Sequence, residues 1–336
     1  MDEHLTPTGV PRARLRYRPT RASDLPECIR LLPSWIGLGP DRHAAVTALW
    51  ERLLDEPSIT SAVMEDLARA PGQRIQGWGA GLLLPPEWAE TLGLATSPLL
   101  PAAPVVPRVY AALLEDRLAL LGDRAIGELN AAGRVQFLNL HYSQHPTDLS
   151  DDRALAVLNV ANEAFRAAAA GYRLQAMHFE SSVRNAPMFS SAGFPVVPYA
   201  DATVQRALAA LPVETRPVFF GLTREQARAS LPGTSVRHAF EHSPPRYRLS
   251  ATQRRLLWRA MFDESDELLM QMLRISSVHG LKKLWRGIYD RIEDVDPDFF
   301  GEPAADDDGK RGPEKRRQVL AYVRQRPEEL RAWTTP

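Results

Sequence analysis

Residues that could bind a nucleic acid are concentrated near the C-terminal end of this 336-residue sequence. From Arg246 to Ile292 there are eight Arg and two Lys against five Asp or Glu, a local charge of +5 in a chain of zero formal net charge. Such charge segregation is typical of a surface that binds a polyanion. The candidate contacts with DNA phosphates and base edges are Ser277, His279, Lys282, Lys283, Arg286 and Arg291.

These candidate contacts share one predicted helix, which runs from about Ser277 to Ile292. At about 100° per residue, Lys282, Lys283 and Arg286 fall within about 60° of His279, and the apolar side chains fall on the opposite side. The apolar set is Val278, Leu281, Leu284, Trp285, Ile288 and Ile292. The pattern predicts a helix with one buried face and one free, basic face.

Two shorter helices precede this helix and could position it. Ser250 with Gln253 three residues later predicts a capping box, and Ser265-Asp266 predicts a second helix start. A helix-turn-helix protein packs its third helix on two others while the opposite face enters the major groove. An amphipathic helical hairpin with solvated charges is the alternative to this interpretation.

Residues 246–292 resemble the LuxR-type helix-turn-helix of bacterial transcription regulators. The resemblance implies binding of double-stranded DNA, and it is weakened at Leu268, Met270 and Gly280, where the family usually carries Glu, Ala and Thr. The matching residues are Leu249-Ser250, Ser265-Asp266, Leu269, Leu273, Ile275-Ser276 and Leu281-Lys282-Lys283, followed by Trp285, Ile288 and Tyr289.

The first two thirds of the chain alternate between predicted strands and helices. Val135 to Tyr142 and Tyr172 to Phe179 are strand candidates on either side of a helix candidate, Asp152 to Ala170. A β-α-β order predicts a parallel or mixed sheet covered by helices. Earlier elements are predicted at Arg16 to Leu32, Ala44 to Leu54 and Arg74 to Leu84, and Leu92 to Pro107 is predicted to be a proline-rich connector.

This order of elements, with Asn185-Ala186 and Gly193-Phe194 at its end, resembles a GNAT N-acetyltransferase. The family holds acetyl-CoA on a glycine-rich loop at a helix N-terminus, whereas the equivalent Ser143 to Asp152 contains no glycine and has three aspartates. The tyrosine that often protonates the leaving thiolate corresponds to Phe189. The resemblance therefore implies an acetyltransferase-like fold used for sensing or dimerisation, with no catalytic or cofactor-binding residues.

Other reactive residue types form no convincing site. His141, His145 and His178 could be imagined as metal ligands, but histidines at strand ends are more often surface or hydrogen-bonded residues, so no metal is expected. Cys28 lies in an apolar helix pattern and is expected in the core. Gly77, Gly79 and Gly81 alternate along one strand, which predicts close backbone packing or a bulge rather than a phosphate loop.

Composition excludes several classes of protein. With 44% hydrophobic and 24% charged residues, the chain is expected to be globular rather than disordered. One cysteine permits no intrachain disulfide, which favours a reducing cytoplasm. Prolines and charges between Met1 and Arg18 exclude a signal peptide core, and no apolar run is long enough to span a membrane.

The sequence thus predicts an α/β, GNAT-like mixed sheet with flanking helices and a C-terminal all-α helix-turn-helix domain. We expect a sensor or dimerisation domain at 1–200, a connector at 201–245, the DNA-binding domain at 246–295, and a spacer with a last helix at 296–336. The favoured function is a cytoplasmic bacterial transcriptional regulator that is not an enzyme, forms a homodimer on DNA and responds to an unknown small-molecule effector. An N-acetyltransferase with an appended helical domain and an inactive interaction module are the alternatives.

Overall fold

The structure is a computed structural model, and it describes residues 14–95, 98–230, 237, 239–262, 264–301 and 311–334. The expected spacer around Asp306 to Gly309 and most of the N-terminal segment examined for a signal peptide lie outside the described residues.

Seven strands form one mixed sheet in the order β1-β2-β3-β4-β5-β7-β6. Strands β4 and β5 are parallel and are connected by helix α6, as the β-α-β pattern predicts, and the other described pairings are antiparallel. The strands are β1 Leu15–Pro19, β2 Ile59–Asp66, β3 Ile75–Leu83, β4 Val135–Gln144, β5 Leu174–Ser182, β6 Val196–Val197 and β7 Pro217–Thr223.

Helices cover both faces of the sheet. The first face packs against α1, α2 and α4 in a core that contains Trp50, Trp78 and Leu138, and the second face packs against α6. The helices of this part are α1 Leu25–Arg30, α2 His43–Leu53, α3 Pro86–Thr91, α4 Val105–Leu114, α5 Asp123–Ala132, α6 Asp152–Ala169, α7 Ala186–Ser191, α8 Ala202–Ala209 and α9 Arg224–Ala229.

The C-terminal part is helical and has its own core. It consists of α10 Ala251–Ala260, α11 Asp266–Leu273, α12 Val278–Val295 and α13 Arg311–Gln325. Both hydrogen bonds of the predicted Ser250 capping box are present, and Ser265 caps α11. Leu281, Trp285 and Ile288 of α12 are buried, as the amphipathic pattern predicts. The predicted architecture, a mixed sheet with flanking helices plus a C-terminal helical region, is confirmed.

Helix α13 belongs to this C-terminal core. Val319, Leu320 and Val323 pack against the buried faces of α10 and α12 and are at most 8% exposed. The apolar stripe of α13 is therefore covered within the same chain.

The end of the chain packs back onto the sheet-containing part. The side chain of Asn130 donates a hydrogen bond to the carbonyl oxygen of Ala332 at 2.9 Å. Arg254 of α10 reaches both carboxylate oxygens of Asp123, at 2.5 and 2.6 Å. The helical region is therefore held against the sheet at several separate points. Among the described helices, none is both long and apolar enough to cross a bilayer.

Candidate functional site

The central parallel strands separate halfway along their length. β4 and β5 are paired from Val135 with Leu174 to Asn139 with Phe179. Beyond this point β4 continues beside β3 as far as Gln144, and β5 continues beside β7 as far as Ser182. A cleft therefore opens between the carboxyl ends of two parallel strands, which is where open α/β sheets commonly bind ligands.

A β-bulge lies in β4 at the start of this cleft. Gly81 of β3 is opposite Asn139 and Ala80 is opposite His141, so Leu140 has no partner in β3. Leu140 and His141 are consecutive, yet both lie against the first-face core around Trp78. Because the bulge interrupts the alternation, Asn139 and Tyr142 both face the second side of the sheet.

A cavity of about 700 Å³ occupies this second side. Its floor includes Gly79 and Gly81 of β3, and a Cβ on Gly81 would come within 2.3 Å of the Phe137 ring. The predicted close packing at Gly81 is therefore real, and Gly79 and Gly81 also form part of the cavity wall. Aromatic side chains line much of the cavity, namely Phe137, Phe165, Phe179, Phe189 and Phe194.

Asn139 supplies a polar group to this mainly apolar cavity. Its residue surface is 9% exposed, and its side-chain amide has no hydrogen-bond partner among the described residues. The amide is accessible from the cavity, so a ligand there can hydrogen-bond to it. Sequence reasoning missed Asn139, although one Asn inside the otherwise apolar run Phe137 to Leu140 was a usable signal.

The C-terminal helices provide the opposite wall of the cavity. α10 contributes Arg254, Arg255, Trp258 and Arg259, and α11 contributes Met272 and Leu273. The cavity is thus formed jointly by the sheet and the helical region, an arrangement that analysing the two halves separately did not anticipate.

The N-terminus of α6 carries its own carboxylates. Asp151 accepts a hydrogen bond from the backbone N–H of Arg153 at 2.8 Å, and Asp152 lies in the first turn. Hydrogen bonds from Ser150 lower the pKa of Asp148, which keeps a further negative charge beside this helix end. The residues present therefore do not suit a pyrophosphate at this helix end, as the missing glycines indicated.

The two strand histidines suggested as metal ligands are buried away from the cavity. Burial lowers the pKa of His141 and of His178 to about 3, so both rings are neutral. His141 pairs with the Tyr110 hydroxyl at 2.8 Å, His178 pairs with Gln136 at 2.9 Å, and His145 is exposed. Within the described ranges, no three His, Cys, Asp or Glu side chains form a group that could hold a metal ion. Cys28 is buried in the core, as predicted.

Five of the six candidate DNA contacts lie at the exposed surface of α12 or at its start. Ser277 caps the helix through the N–H of Gly280, and the other four are His279, Lys282, Lys283 and Arg286. Arg291 does not share this surface. Its Nε donates to the carbonyl oxygen of Tyr247 at 2.7 Å, because residue 291 lies about a third of a turn away from His279. The expected placement of Arg291 on the free side is wrong.

No protein-family model matches the chain, and no curated protein matches it. Three solved structures resemble its first two thirds. A Corynebacterium glutamicum protein described as histone acetyltransferase HPA2 and related acetyltransferase is 14% identical, with a TM-score of 0.34, over 65% of this chain and 98% of its own. FeeM, an N-acyl amino acid synthase from uncultured soil microbes, is 10% identical, with a TM-score of 0.35, over 66% and 97%. A dodecameric spermidine N-acetyltransferase from Vibrio cholerae is 12% identical, with a TM-score of 0.34, over 65% and 99%.

The expectation that this chain is not an enzyme is withdrawn, because each of these three solved structures is described as an acetyltransferase or an acyl synthase. That expectation was based on the missing glycine-rich loop and on Phe189. These two features concern only the binding of the cofactor and the protonation of the leaving thiolate. The cleft, the bulge and the cavity are set by strand pairing that the sequence pattern does not reveal.

Proposed function

We propose that this protein transfers an acyl group to an amine from a thioester donor such as an acyl-CoA, whose pyrophosphate is not held at the α6 N-terminus. The observation that carries the proposal is the unpartnered amide of Asn139 in the cavity where β4 and β5 separate. The pantetheine arm of a thioester donor is narrow and carries amide groups. It could enter between two separating strands and hydrogen-bond with such a side chain.

The chemistry needs the reacting groups to be oriented and water to be excluded. The amine nitrogen attacks the thioester carbonyl carbon, a C–N bond forms, the C–S bond breaks, and the amine proton ends on the released thiol. The separation of β4 and β5 beyond Asn139 leaves main-chain groups at the cleft edge of β4 outside the β4–β5 ladder, and a backbone N–H group in such a position can stabilise an oxyanion.

The acyl group that suits this cavity is longer than acetyl. Small side chains of α6 line the cavity at Ala161, Ala164 and Ala168, as do Gly79 and Gly81 of β3. The resulting space is about 700 Å³ and is lined by aromatic rings, which favours an alkyl chain through burial of apolar surface.

Calorimetry with acetyl-CoA, octanoyl-CoA and dodecanoyl-CoA tests donor binding, and release of thiol with a panel of amines tests transfer. We expect affinity to rise with chain length and thiol release to require an amine. The variant Asn139→Leu should lose both while keeping its stability, because the wild-type amide has no protein partner to lose. Absence of binding by any donor, or undiminished transfer by Asn139→Leu, would refute the proposal.

Double-stranded DNA binding by the helical region is a second candidate function. It is favoured by the exposed His279, Lys282, Lys283 and Arg286 of α12, for which the described residues provide no ion pair or hydrogen bond. Binding of this kind would accompany a homodimer, because one module buries only about 600–1,000 Å² on DNA. Sedimentation of the full chain with and without a DNA duplex tests the dimer, and a monomer under both conditions would argue against it.

A further inference from the structure

Arg259 of α10 lines the cavity without any partner for its charge. No hydrogen bond or ion pair joins its guanidinium to a described residue, and its Nη1 atom is fully enclosed. Other arginines of the same wall are engaged, since Arg254 pairs with Asp123 and Arg331 donates to backbone carbonyls of α6. Arg259 as a whole is partly exposed, but its enclosed Nη1 lacks an acceptor, which an anionic ligand in the cavity would supply.

The acidic residues near Arg259 already have other partners. Asp55 pairs with Arg274 at 3.1 Å, and Glu264 pairs with Arg21. Burial lowers the pKa of Arg259, while Asp55 and Glu264 act at longer range to raise it. This described group thus contains three guanidinium groups and only two carboxylates, which leaves one positive charge for an anionic ligand. The members are Arg21, Arg259 and Arg274 with Asp55 and Glu264.

Arg259 lies on the side of the cavity away from the β4–β5 cleft. Its electrostatic neighbours include Arg18 of β1 and Arg21, which follows β1. Strand β1 is three positions from β4 in the sheet, a distance of about 14 Å at about 4.8 Å per strand. A donor entering through the cleft would therefore approach Arg259 from the far end, where the second substrate has room.

We propose that Arg259 binds a carboxylate of the acceptor, so that the acceptors are amino acids or other amines with an anionic group. This inference rests on the proposed acyl transfer and names its substrate class. The acceptor nitrogen attacks the thioester carbon with its carboxylate held at Arg259. Its proton passes to the departing thiol, and the product is an N-acyl amino acid. Arg259 acts as a binding and specificity residue for this acceptor.

Two matched acceptors distinguish the contribution of the acceptor carboxylate from that of the acceptor amine. L-Leucine and L-leucinamide differ only in the charged group, and both can be assayed with dodecanoyl-CoA. We expect wild type to prefer L-leucine. Arg259→Gln should lower kcat/KM for L-leucine by about 10–100-fold, mainly through KM, and leave L-leucinamide unchanged, as the loss of one charge-assisted hydrogen bond implies. Arg259→Lys should recover part of the preference, and Arg30→Gln, at an exposed arginine of α1, is the matched control.

Ligand-observed NMR with L-leucine in the absence of donor tests Arg259 independently of turnover. Binding by wild type that is lost in Arg259→Gln supports the inference even if no transfer occurs, in which case only the acyl-transfer proposal fails. Equal binding by the two proteins, or no binding by either, overturns the inference. A loss of dodecanoyl-CoA affinity in Arg259→Gln with an unchanged acceptor preference also overturns it, because Arg259 would then hold a donor phosphate.

Discussion

Arg331 offers a quantitative test of how firmly the end of the chain is docked on the sheet. It is 7% exposed, and its guanidinium donates to the carbonyl oxygens of Ala167, Ala168 and Ala170 at the C-terminal end of α6. Its charge also lies 4.6 Å from the centre of the Tyr172 ring. A cation at this end of a helix satisfies carbonyls that have no partner within the helix and complements the helix dipole.

The variant Arg331→Met keeps the apolar stem and removes the charge. Hydrogen bonds to a charged group contribute about 1.5–3 kcal/mol each, so three would sum to more than 4 kcal/mol if they were independent. Water can reach some of the freed carbonyls, and we therefore expect a loss of about 3–5 kcal/mol in the free energy of unfolding. The cavity wall should loosen at the same time, because Arg331 also lies 5.8 Å from the centre of the Trp258 ring.

Urea unfolding followed by tryptophan fluorescence measures this loss, and limited proteolysis reports whether the C-terminal part opens first. Arg317→Met is the matched control, because the Arg317 side chain is 79% exposed and such surface changes alter stability by at most about 0.5 kcal/mol. A loss below about 1 kcal/mol for Arg331→Met, with proteolysis unchanged, would refute the docking described above.

Three further predictions concern single sites. Burial raises the pKa of Glu180 to about 7, so the folded state holds a proton that the unfolded state has released, and stability should fall by about 3 kcal/mol as pH rises from about 4.5 to above 7. Urea unfolding at several pH values should show a smaller change in unfolding free energy with pH for Glu180→Gln than for wild type. An equal change in the two proteins would contradict this prediction. Phe189→Tyr places a proton donor in the cavity and should raise thiol release about tenfold or more, so a folded variant with no gain would argue against a leaving thiolate at this position. Joint replacement of Lys282, Lys283 and Arg286 by Ala should flatten the dependence of log DNA affinity on log salt by about 2–3 units, and an unchanged slope would eliminate DNA binding by α12.

Local signals in the sequence predicted much of the fold. Capping residues located α10 and α11, amphipathic periodicity located α12, and the alternation of apolar segments located β3, β4, α6 and β5 within a few residues. These predictions succeeded because caps and apolar periodicity act within a few residues of the chain.

Prolines and polar strand residues concealed other elements. Leu92 to Pro107 was predicted to be a connector, yet α4 begins at Val105 with Pro104 as its N-cap and Pro107 in its first turn, where a missing N–H costs nothing. Strand β2 was missed because Thr60, Ser61 and Ala62 interrupt the apolar alternation of its first half.

The candidate site depends on contacts that are distant in sequence. Asn139 becomes a site residue because β4 and β5 separate beside it, and Arg259 becomes one because α10 lines the same cavity. Neither the separation of β4 from β5 nor the position of α10 produces a periodic pattern in the sequence. The sequence therefore favoured the local basic pattern of α12 as the functional site. Arg291 shows the limit of that pattern, since its partner is the backbone of Tyr247, 44 residues earlier.

Photo-crosslinking with a dodecanoyl-CoA analogue that carries a diazirine at the end of its acyl chain tests most directly whether the cavity is the acyl-donor site. Mass spectrometry of the labelled peptides should place the label on α6 or α7, near Phe165 and Phe189, and excess dodecanoyl-CoA should compete it away. Label confined to the exposed surface of α12, or label that dodecanoyl-CoA does not displace, would contradict acyl transfer at the β4–β5 cleft.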